Sequence, residues 1–320
     1  MTAPDDLIEL TSGKARASVA RAGGEWREWS IGETPMLWTP DPAFWSQTAP
    51  VLFPVCGWTR DGQVRVAGKT YPLGLHGFAN RMHFDVDARG ADFVRLILRD
   101  DDATRAVYPF GFELSLEYRL APLHFSVQAR VRNTGQEAMP YAFGLHPGFR
   151  WPFSGGRQDD YAIVFDDAEK AEVPVIAPGG LFSQERRAIA LEGARLALSQ
   201  NTFAQEALCF LDARSRALRF TATDGRALRV EMEGFRHIVL WSRPRAPFLC
   251  IESWTGYGDP VGFGGELAAK PSMILLAPGE ERSHAVRYSF ESDGALISTD
   301  AQTPASAKSD RKDQESSSGQ

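Results

Sequence analysis

Residues 114–135 read LSLEYRLAPLHFSVQARVRNTG, and their alternation decides the fold class. Apolar and polar side chains alternate with a period of two in both halves, as in strands with one buried face. Ala121-Pro122 supplies a turn between the halves, and Asn133-Thr134-Gly135 ends the second half with residues that tolerate unusual backbone angles. We therefore predict two paired antiparallel strands, whose buried positions are Leu114, Leu116, Tyr118 and Leu120 in the first and Phe125, Val127, Ala129 and Val131 in the second.

Short strands of the same kind continue on both sides of this hairpin. No long apolar stripe at helical spacing separates them, so crossover helices are not expected. The pattern predicts an all-β fold, a large antiparallel β-sandwich whose sheets pack face to face. The further predicted strands cover residues 93–99, 161–165, 218–221, 227–232, 237–241, 248–251 and 284–290.

The chain is interpreted as a single domain over residues 1–292. Residues 10–290 contain neither a linker-like stretch nor a repeat of fixed period. After about Ser292 the composition changes to Ser, Asp, Gln, Lys and Ala. Such a polar tail buries too little apolar surface to offset its ordering entropy, so we expect residues 293–320 to be disordered.

Composition and charge exclude several classes of function. Hydrophobic residues make up 43% and charged residues 24% of the chain, and the formal net charge is -6 without a block of Lys and Arg. Neither nucleic acid nor an anionic membrane is therefore expected as the main partner, and a small molecule fits better. Residues 1–10 contain three acidic residues and neither a basic nor an apolar region, so we expect no secretory signal. No apolar run approaches about 18 residues. Three cysteines without a C-x-x-C pair predict reduced thiols in the cytoplasm.

Three segments place titratable side chains among aromatic residues and turn formers. They are LHGFANR (75–81), GLHPGFRWP (144–152) and CIESWTG (250–256). In the second segment Pro147 biases His146 toward an extended backbone, and we expect Gly148 to let the chain turn sharply. His146 is therefore expected at a strand end, where its imidazole can deliver a proton.

The third segment offers a carboxylate that can act as a base. Alternation along the strand puts Phe248, Cys250 and Glu252 on one face. Burial among apolar groups would raise the pKa of Glu252 above its ordinary value of about 4.3. Alternatively, Glu252 is a surface carboxylate that pairs with Arg243 or Arg245.

Motifs for metal, nucleotide and nucleophilic chemistry are missing from the sequence. His76 and His83 are seven residues apart and would face opposite sides of a strand, and no H-E-x-x-H occurs. There is no G-x-S-x-G, and Gly262 to Gly265 lack the lysine of a P-loop. We expect no metal and no cofactor, because a positioned acid and base need neither.

The three segments with titratable side chains, together with other short motifs in the same order, resemble the aldose 1-epimerase family, also called galactose mutarotases, over roughly residues 8–290. The forms HGFA and CIESW resemble its LacX-like branch, to which hexose-6-phosphate 1-epimerases are related. The similar motifs are LFPVCG (52–57) with RDG (60–62), LHGFA (75–79), LHPGF (145–149), LWS (240–242), FLCIESWTG (248–256) and KP (270–271) with LAPGE (276–280).

The resemblance implies a β-sandwich with a sugar in an open groove, and it implies residue roles. Glu252 would be the base that removes the proton from the C1 hydroxyl, and His146 the acid that protonates the ring oxygen. His76 would hydrogen-bond the sugar. One base and one acid on opposite sides of the sugar suffice for ring opening. Flat rings such as Trp58 and Trp151 either suit the C–H face of a pyranose or pack in the core. The predicted substrate-binding residues are Arg60, Arg81, Phe149 and Trp254.

The sequence departs from the family pattern at two places. Many mutarotases have an additional aspartate that grips sugar hydroxyls, and Asp212 and Glu206 lie in the matching region. Relatives often read HGFAR, whereas Asn80 stands there in this chain and Arg81 follows one residue later. A shift of one residue in a strand turns a side chain to the other face, so the phosphate-binding role of the family's arginine does not carry over directly to Arg81.

Three hypotheses for the function follow. The first is interconversion of the α and β anomers of a free aldohexose such as glucose or galactose. The second is the same reaction on a hexose 6-phosphate, which needs two or more cationic side chains around the phosphate, with Arg60, Arg81 and Arg150 as candidates. The third is a carbohydrate-binding protein without turnover, because binding can use the same residues.

Overall fold

A computed structural model describes residues 6–292, and the predicted disordered tail lies outside the described residues. The helical segments are the α-helix Asp102–Arg105 and 3-10 turns at Arg60–Gly62, Ala79–Arg81, Gln158–Asp160 and Leu267–Ala269. None of the helices in this part of the chain is long and apolar enough to cross a membrane. The strands in chain order are β1 Leu7–Ser12, β2 Ala15–Ala20, β3 Trp26–Ile31, β4 Thr34–Pro35, β5 Val51–Leu52, β6 Gln63–Val66, β7 Lys69–Pro72, β8 Asp85–Arg89, β9 Phe93–Arg99, β10 Phe112–Ala121, β11 His124–Asn133, β12 Met139–Tyr141, β13 Gly144–Leu145, β14 Gly148–Arg150, β15 Tyr161–Phe165, β16 Glu172–Ala177, β17 Leu181–Ala188, β18 Leu191–Glu192, β19 Arg195–Ala197, β20 Leu208–Phe210, β21 Ala217–Ala222, β22 Ala227–Glu233, β23 His237–Trp241, β24 Phe248–Trp254, β25 Ile274–Leu276 and β26 Glu281–Glu291.

Ten strands form one antiparallel sheet in the order β18-β19-β15-β21-β22-β26-β11-β10-β9-β8. The predicted hairpin is β10 and β11, with Leu116 opposite Ala129 and Tyr118 opposite Val127. The alternating apolar side chains of both strands are buried, because they all project toward one face of the sheet. The prediction of an all-β antiparallel sandwich is confirmed.

A second layer covers the buried face of the ten-stranded sheet. It consists of a four-stranded sheet, β1-β2-β3-β4, and a six-stranded sheet, β20-β23-β24-β13-β5, in which β14 also pairs with β24. Trp26 of β3 stacks on Phe125 of β11 with ring centroids 4.0 Å apart, and Phe149 of β14 lies 5.4 Å from Tyr288 of β26. Burial of such a side chain contributes roughly 1.5–3 kcal/mol. The largest apolar cluster extends along the chain from Ile8 to Tyr288. The organisation of residues 1–292 as a single domain stays a prediction.

Strand β24 positions the chemistry and is longer than the predicted strand at 248–251. It runs to Trp254, and all its residues are buried. The extension arises because β24 is paired along both edges, with β23 on one side and with β13 and β14 on the other. Glu252 therefore lies inside a sheet rather than in the loop that follows it.

Candidate active site

Two neighbouring strands bring His146 and Glu252 together. Leu145 of β13 pairs with Ser253, and Gly148 of β14 pairs with Cys250. The register is the same on both sides of the break between β13 and β14, so His146 stands opposite Glu252 on one face of the sheet. His146 Nε2 lies 3.3 Å from Glu252 Oε2. This contact corrects the expectation that acid and base lie on opposite sides of a sugar.

The break between β13 and β14 comes from Pro147, which has no N–H to donate. Its carbonyl still accepts the N–H of Ile251 at 3.2 Å, so the pairing continues. Gly148 does not make the sharp turn that the sequence predicts, because it lies within β14 and its φ is not positive. A Cβ at Gly148 would lie 2.9 Å from Trp45 Cζ3. The glycine therefore lets Trp45 approach the strand beside His146.

His146 and Glu252 line an open hollow on the face of the six-stranded sheet. Its volume is about 760 Å³, within the usual range of small-molecule sites. A row of paired residues crosses its floor, from Cys209 of β20 to Val239 of β23 and then to Glu252. Other side chains that line the hollow are Trp45, Trp58, Trp241, Trp254, His76, Glu206 and Arg243.

Glu252 is almost completely buried, with 1% of its surface exposed. Its Oε2 accepts the indole N–H of Trp254 at 2.9 Å. Loss of hydration raises the pKa of Glu252 well above its ordinary value, and the bond from Trp254 opposes this only in part. The alternative of a surface carboxylate paired with Arg243 or Arg245 is wrong, because within residues 6–292 Glu252 makes its ion pair with His146.

The imidazole of His146 is enclosed by aromatic rings. Its centroid lies 5.1 Å from that of Trp45 and 5.6 Å from that of Trp241. Burial lowers the pKa of His146 well below its ordinary value. Its Nδ1 makes no hydrogen bond among the described residues, so its polar contact is the one from Nε2 to Glu252. Because burial favours the neutral form of both groups, the Nδ1–H tautomer of His146 would share the carboxyl proton of Glu252 between Oε2 and Nε2.

His76 approaches the same pair from another segment of the chain. Its ring centroid lies 5.6 Å from that of His146 and 5.7 Å from that of Trp254. Burial, and secondarily His146, keep the pKa of His76 well below its ordinary value. The Nδ1 atom accepts the N–H of Gly57 at 3.1 Å. A neutral imidazole that accepts at Nδ1 carries its proton on Nε2, which makes Nε2 a hydrogen-bond donor.

Phe149 faces the core, which corrects its predicted contact with substrate. It lies three positions from His146 along paired backbone, so the two side chains project from opposite faces of the sheet. Phe149 is fully buried and packs against Tyr288. Trp151 is also buried and does not line the hollow, whereas Trp254 does.

The predicted substrate-binding arginines Arg60 and Arg81 lie outside the hollow as well. Arg60 lines a separate cavity, where its Nη1 donates to the carbonyl of Phe263 at 3.3 Å. Arg81 is turned back on its own segment and donates to the carbonyl of Gly77 at 2.7 Å. Arg150 is exposed on β14 and does not line the hollow.

Several residues of the hollow are missing from the sequence-based assignment. Trp45 lies between β4 and β5, in a segment that carries no strand pattern and hence no signal. Arg243 has its guanidinium carbon 5.8 Å from the ring centroid of Trp241. Of the two carboxylates in the region of the family's additional aspartate, Glu206 lines the hollow, and Asp212 pairs with Arg236 outside it at 2.6 Å.

Within residues 6–292 the cysteines and acidic residues are not grouped as a metal site requires. Cys56, Cys209 and Cys250 are free and buried. In the part of the chain that the structure describes, no three His, Cys, Asp or Glu side chains are grouped as metal ligands.

Comparisons with known proteins agree with the fold and with the motifs. The family model for aldose 1-epimerase matches residues 6–289. The chromosomal protein LacX of Lactococcus lactis subsp. lactis is 30% identical over 254 residues, which cover 76% of this chain and 85% of LacX. The structure of a galactose mutarotase related enzyme from Lactobacillus acidophilus superposes with a TM-score of 0.83 at 26% identity, over 89% of this chain and 97% of that one.

A second solved structure gives the same result. A galactose mutarotase-like protein from Lactobacillus casei also has a TM-score of 0.83, at 25% identity, over 89% of this chain and all of that one. The family match spans nearly all the described residues. The chain belongs to the aldose 1-epimerase family.

Proposed function

We propose that the protein interconverts the α and β anomers of a free aldohexose, such as glucose or galactose. The observation that carries the proposal is the 3.3 Å contact between His146 Nε2 and Glu252 Oε2 in the hollow. The reaction takes a proton from the C1 hydroxyl and gives one to the ring oxygen. Both oxygens are bonded to C1, so an acid and a base that touch each other can serve both.

The proton count supports this assignment. A sugar hydroxyl that donates to Glu252 favours its carboxylate form, and the shared proton then resides on His146. Glu252 removes the C1 hydroxyl proton while His146 protonates the ring oxygen and the C1–O5 bond breaks. After rotation about C1–C2, both transfers run backward and the ring closes on the other face of C1. The pair holds one proton before and after each turnover, so no proton is consumed.

The other side chains of the hollow supply binding. The Nε2 proton of His76 is a donor that suits a sugar oxygen, and Glu206 offers acceptors for hydroxyl groups. Trp254 offers an apolar ring for the C–H face of a pyranose. These assignments rest on the residues that line the hollow.

A free sugar is better supported than a hexose 6-phosphate. Firm phosphate binding uses two or more converging cationic groups. The candidates Arg60, Arg81 and Arg150 lie away from the hollow, and the cationic side chain that lines it within residues 6–292 is Arg243. A binding protein without turnover would hold the sugar in the same hollow and leave the rate of anomer exchange unchanged.

The test is anomer equilibration from freshly dissolved pure anomers of glucose, galactose and glucose 6-phosphate, followed by polarimetry or NMR. Glu252→Gln and His146→Ala should each slow the catalysed rate at least about 10²-fold, the lower range for one positioned proton transfer. Matched controls are Glu113→Gln and His124→Ala on the ten-stranded sheet, which should run at wild-type rate. Wild-type speed in either hollow variant would contradict the roles. Sugar binding without acceleration by the wild type would identify a binding protein.

A further inference from the structure

A buried ion pair lies outside the set of residues that line the hollow. Asp259 and Lys270 are 4% and 3% exposed, and Oδ1 of the first lies 2.9 Å from Nζ of the second. Neither atom has another hydrogen-bond partner among the described residues. Burying two charges carries a large desolvation cost, and apolar pairs of similar size are often as stable. Stability is therefore a weak explanation for this pair.

Asp259 holds a loop that lines the hollow. Its Oδ2 accepts the N–H of Arg60 at 2.9 Å, and its own N–H donates to the carbonyl of Trp58 at 2.8 Å. The carbonyl of Asp259 accepts the N–H of Phe182 in β17 at 2.9 Å. Trp58 and Phe182 both line the hollow, so one aspartate joins two of its walls.

The same loop holds His76. Gly57 donates its N–H to His76 Nδ1 at 3.1 Å and accepts the N–H of His76 at 3.0 Å. Gly57 has φ +74°, and a Cβ there would lie 2.7 Å from the backbone nitrogen of Gly258. The segment that begins at Gly57 therefore packs directly on the segment that ends at Asp259, and a shift of one moves the other.

We propose that the Asp259–Lys270 ion pair is a positioning device for His76. The lysine fixes the carboxylate of Asp259, and the carboxylate fixes the loop at residues 57–60. The N–H of Gly57 then holds His76 in the tautomer with its proton on Nε2, where it can donate to substrate. The consequence for the rate rests on the proposed function, whereas the tautomer of His76 can be read without turnover.

The first test replaces the pair by apolar residues in the double variant Asp259→Leu/Lys270→Met. The ¹⁵N spectrum of the His76 ring, assigned by its loss in His76→Gln, should change from one Nε2–H tautomer to a mixture. Turnover should fall at least about tenfold, because small displacements of a positioned group cost that much or more. The control is Tyr141→Phe, which removes a buried bond of 2.8 Å to His284 Nε2 and should leave the His76 spectrum unchanged.

The second test removes only the bond from Arg60 to Asp259. Arg60 begins a 3-10 turn after an extended Thr59 (φ -94°, ψ 146°), so the backbone accepts proline at position 60. Arg60→Pro deletes the N–H, whereas Arg60→Ala keeps it and loses the same side chain. Arg60→Pro should show the altered His76 spectrum and a lower turnover than Arg60→Ala.

These readouts separate the two proposals. A wild-type His76 spectrum in both Arg60→Pro and the double variant would overturn the positioning role, whatever the rates are. If the double variant does not fold, the comparison of the two Arg60 variants decides. An altered His76 spectrum in a protein that equilibrates no sugar would keep the positioning role and reject the proposed function.

Discussion

Replacement of Glu252 by glutamine should make the folded protein lose less stability than the wild type as the pH rises, and it should remove most of the turnover. Glutamine has the shape of a protonated glutamic acid and carries no charge. Because Oε2 faces both Trp254 Nε1 and His146 Nε2, the amide can accept from Trp254 or donate to His146 at that position, but not both. Burial raises the pKa of Glu252 well above its ordinary value. The native wild type therefore keeps a proton that the unfolded chain releases.

The size of the effect follows from proton linkage. A state that binds more protons loses relative stability as pH rises, so the native wild type is penalised above the ordinary pKa of a glutamate carboxyl, about 4.3. The penalty is about 1.4 kcal/mol per pH unit while the native carboxyl stays protonated. The stability of Glu252→Gln relative to wild type should therefore rise at this rate as the pH increases from 5. The lowered pKa of His146 affects both proteins and cancels in the difference.

Urea unfolding at pH 5, 6 and 7, followed by tryptophan fluorescence, gives the free energy of unfolding of both proteins. Glu113→Gln on the ten-stranded sheet is the control, and its difference from wild type should not grow with pH. A Glu252→Gln difference that stays constant from pH 5 to 7 would mean that the native carboxyl ionises normally. The single shared proton, and the mechanism built on it, would then be wrong.

Three further outcomes are expected. Because the pKa of His146 is lowered and that of Glu252 raised, the pair keeps one proton across the neutral range, and turnover measured by NMR exchange should be flat from about pH 5 to 7. Phe149→Ala should lower the free energy of unfolding by about 3–5 kcal/mol, as for other buried aromatic truncations, while the KM of the folded fraction stays unchanged. A raised KM without a loss of stability would show that Phe149 contacts the substrate. Gly77→Ala should lower the unfolding free energy by more than about 1 kcal/mol in denaturant titration, because φ is +71° and the new Cβ would lie 2.2 Å from the carbonyl oxygen of Phe53.

The alternation of apolar and polar residues with a period of two predicted the all-β fold. In β10 and β11 every predicted inward position is buried, because one face of the sheet meets water and the other meets the second layer. The end of β24 was missed for the opposite reason. All its residues are buried, so there is no polar alternation for a sequence pattern to follow past Ile251.

The site was predictable in its residue types and not in its distances. The motifs around His146 and Glu252 point to an acid and a base, but the contact between them depends on which residues pair across β14 and β24. That register is a long-range property. The same register turns Phe149 to the core, although it lies in the same motif as His146. Trp45 reaches the hollow from an irregular segment, where no periodicity exists to predict it.

The titratable side chains of the hollow are held in two ways, by the strand register and by a loop. Residues opposite each other in an antiparallel pair have Cβ atoms about 4.5–5.5 Å apart, so the sheet itself brings the ends of His146 and Glu252 together. His76 has no such partner, because it lies at φ +60° in a segment between strands and is held through the N–H and carbonyl of Gly57. A group held by a loop is less precisely placed than one held by a sheet. The buried ion pair of Asp259 and Lys270 therefore acts on a donor that the strand register does not fix.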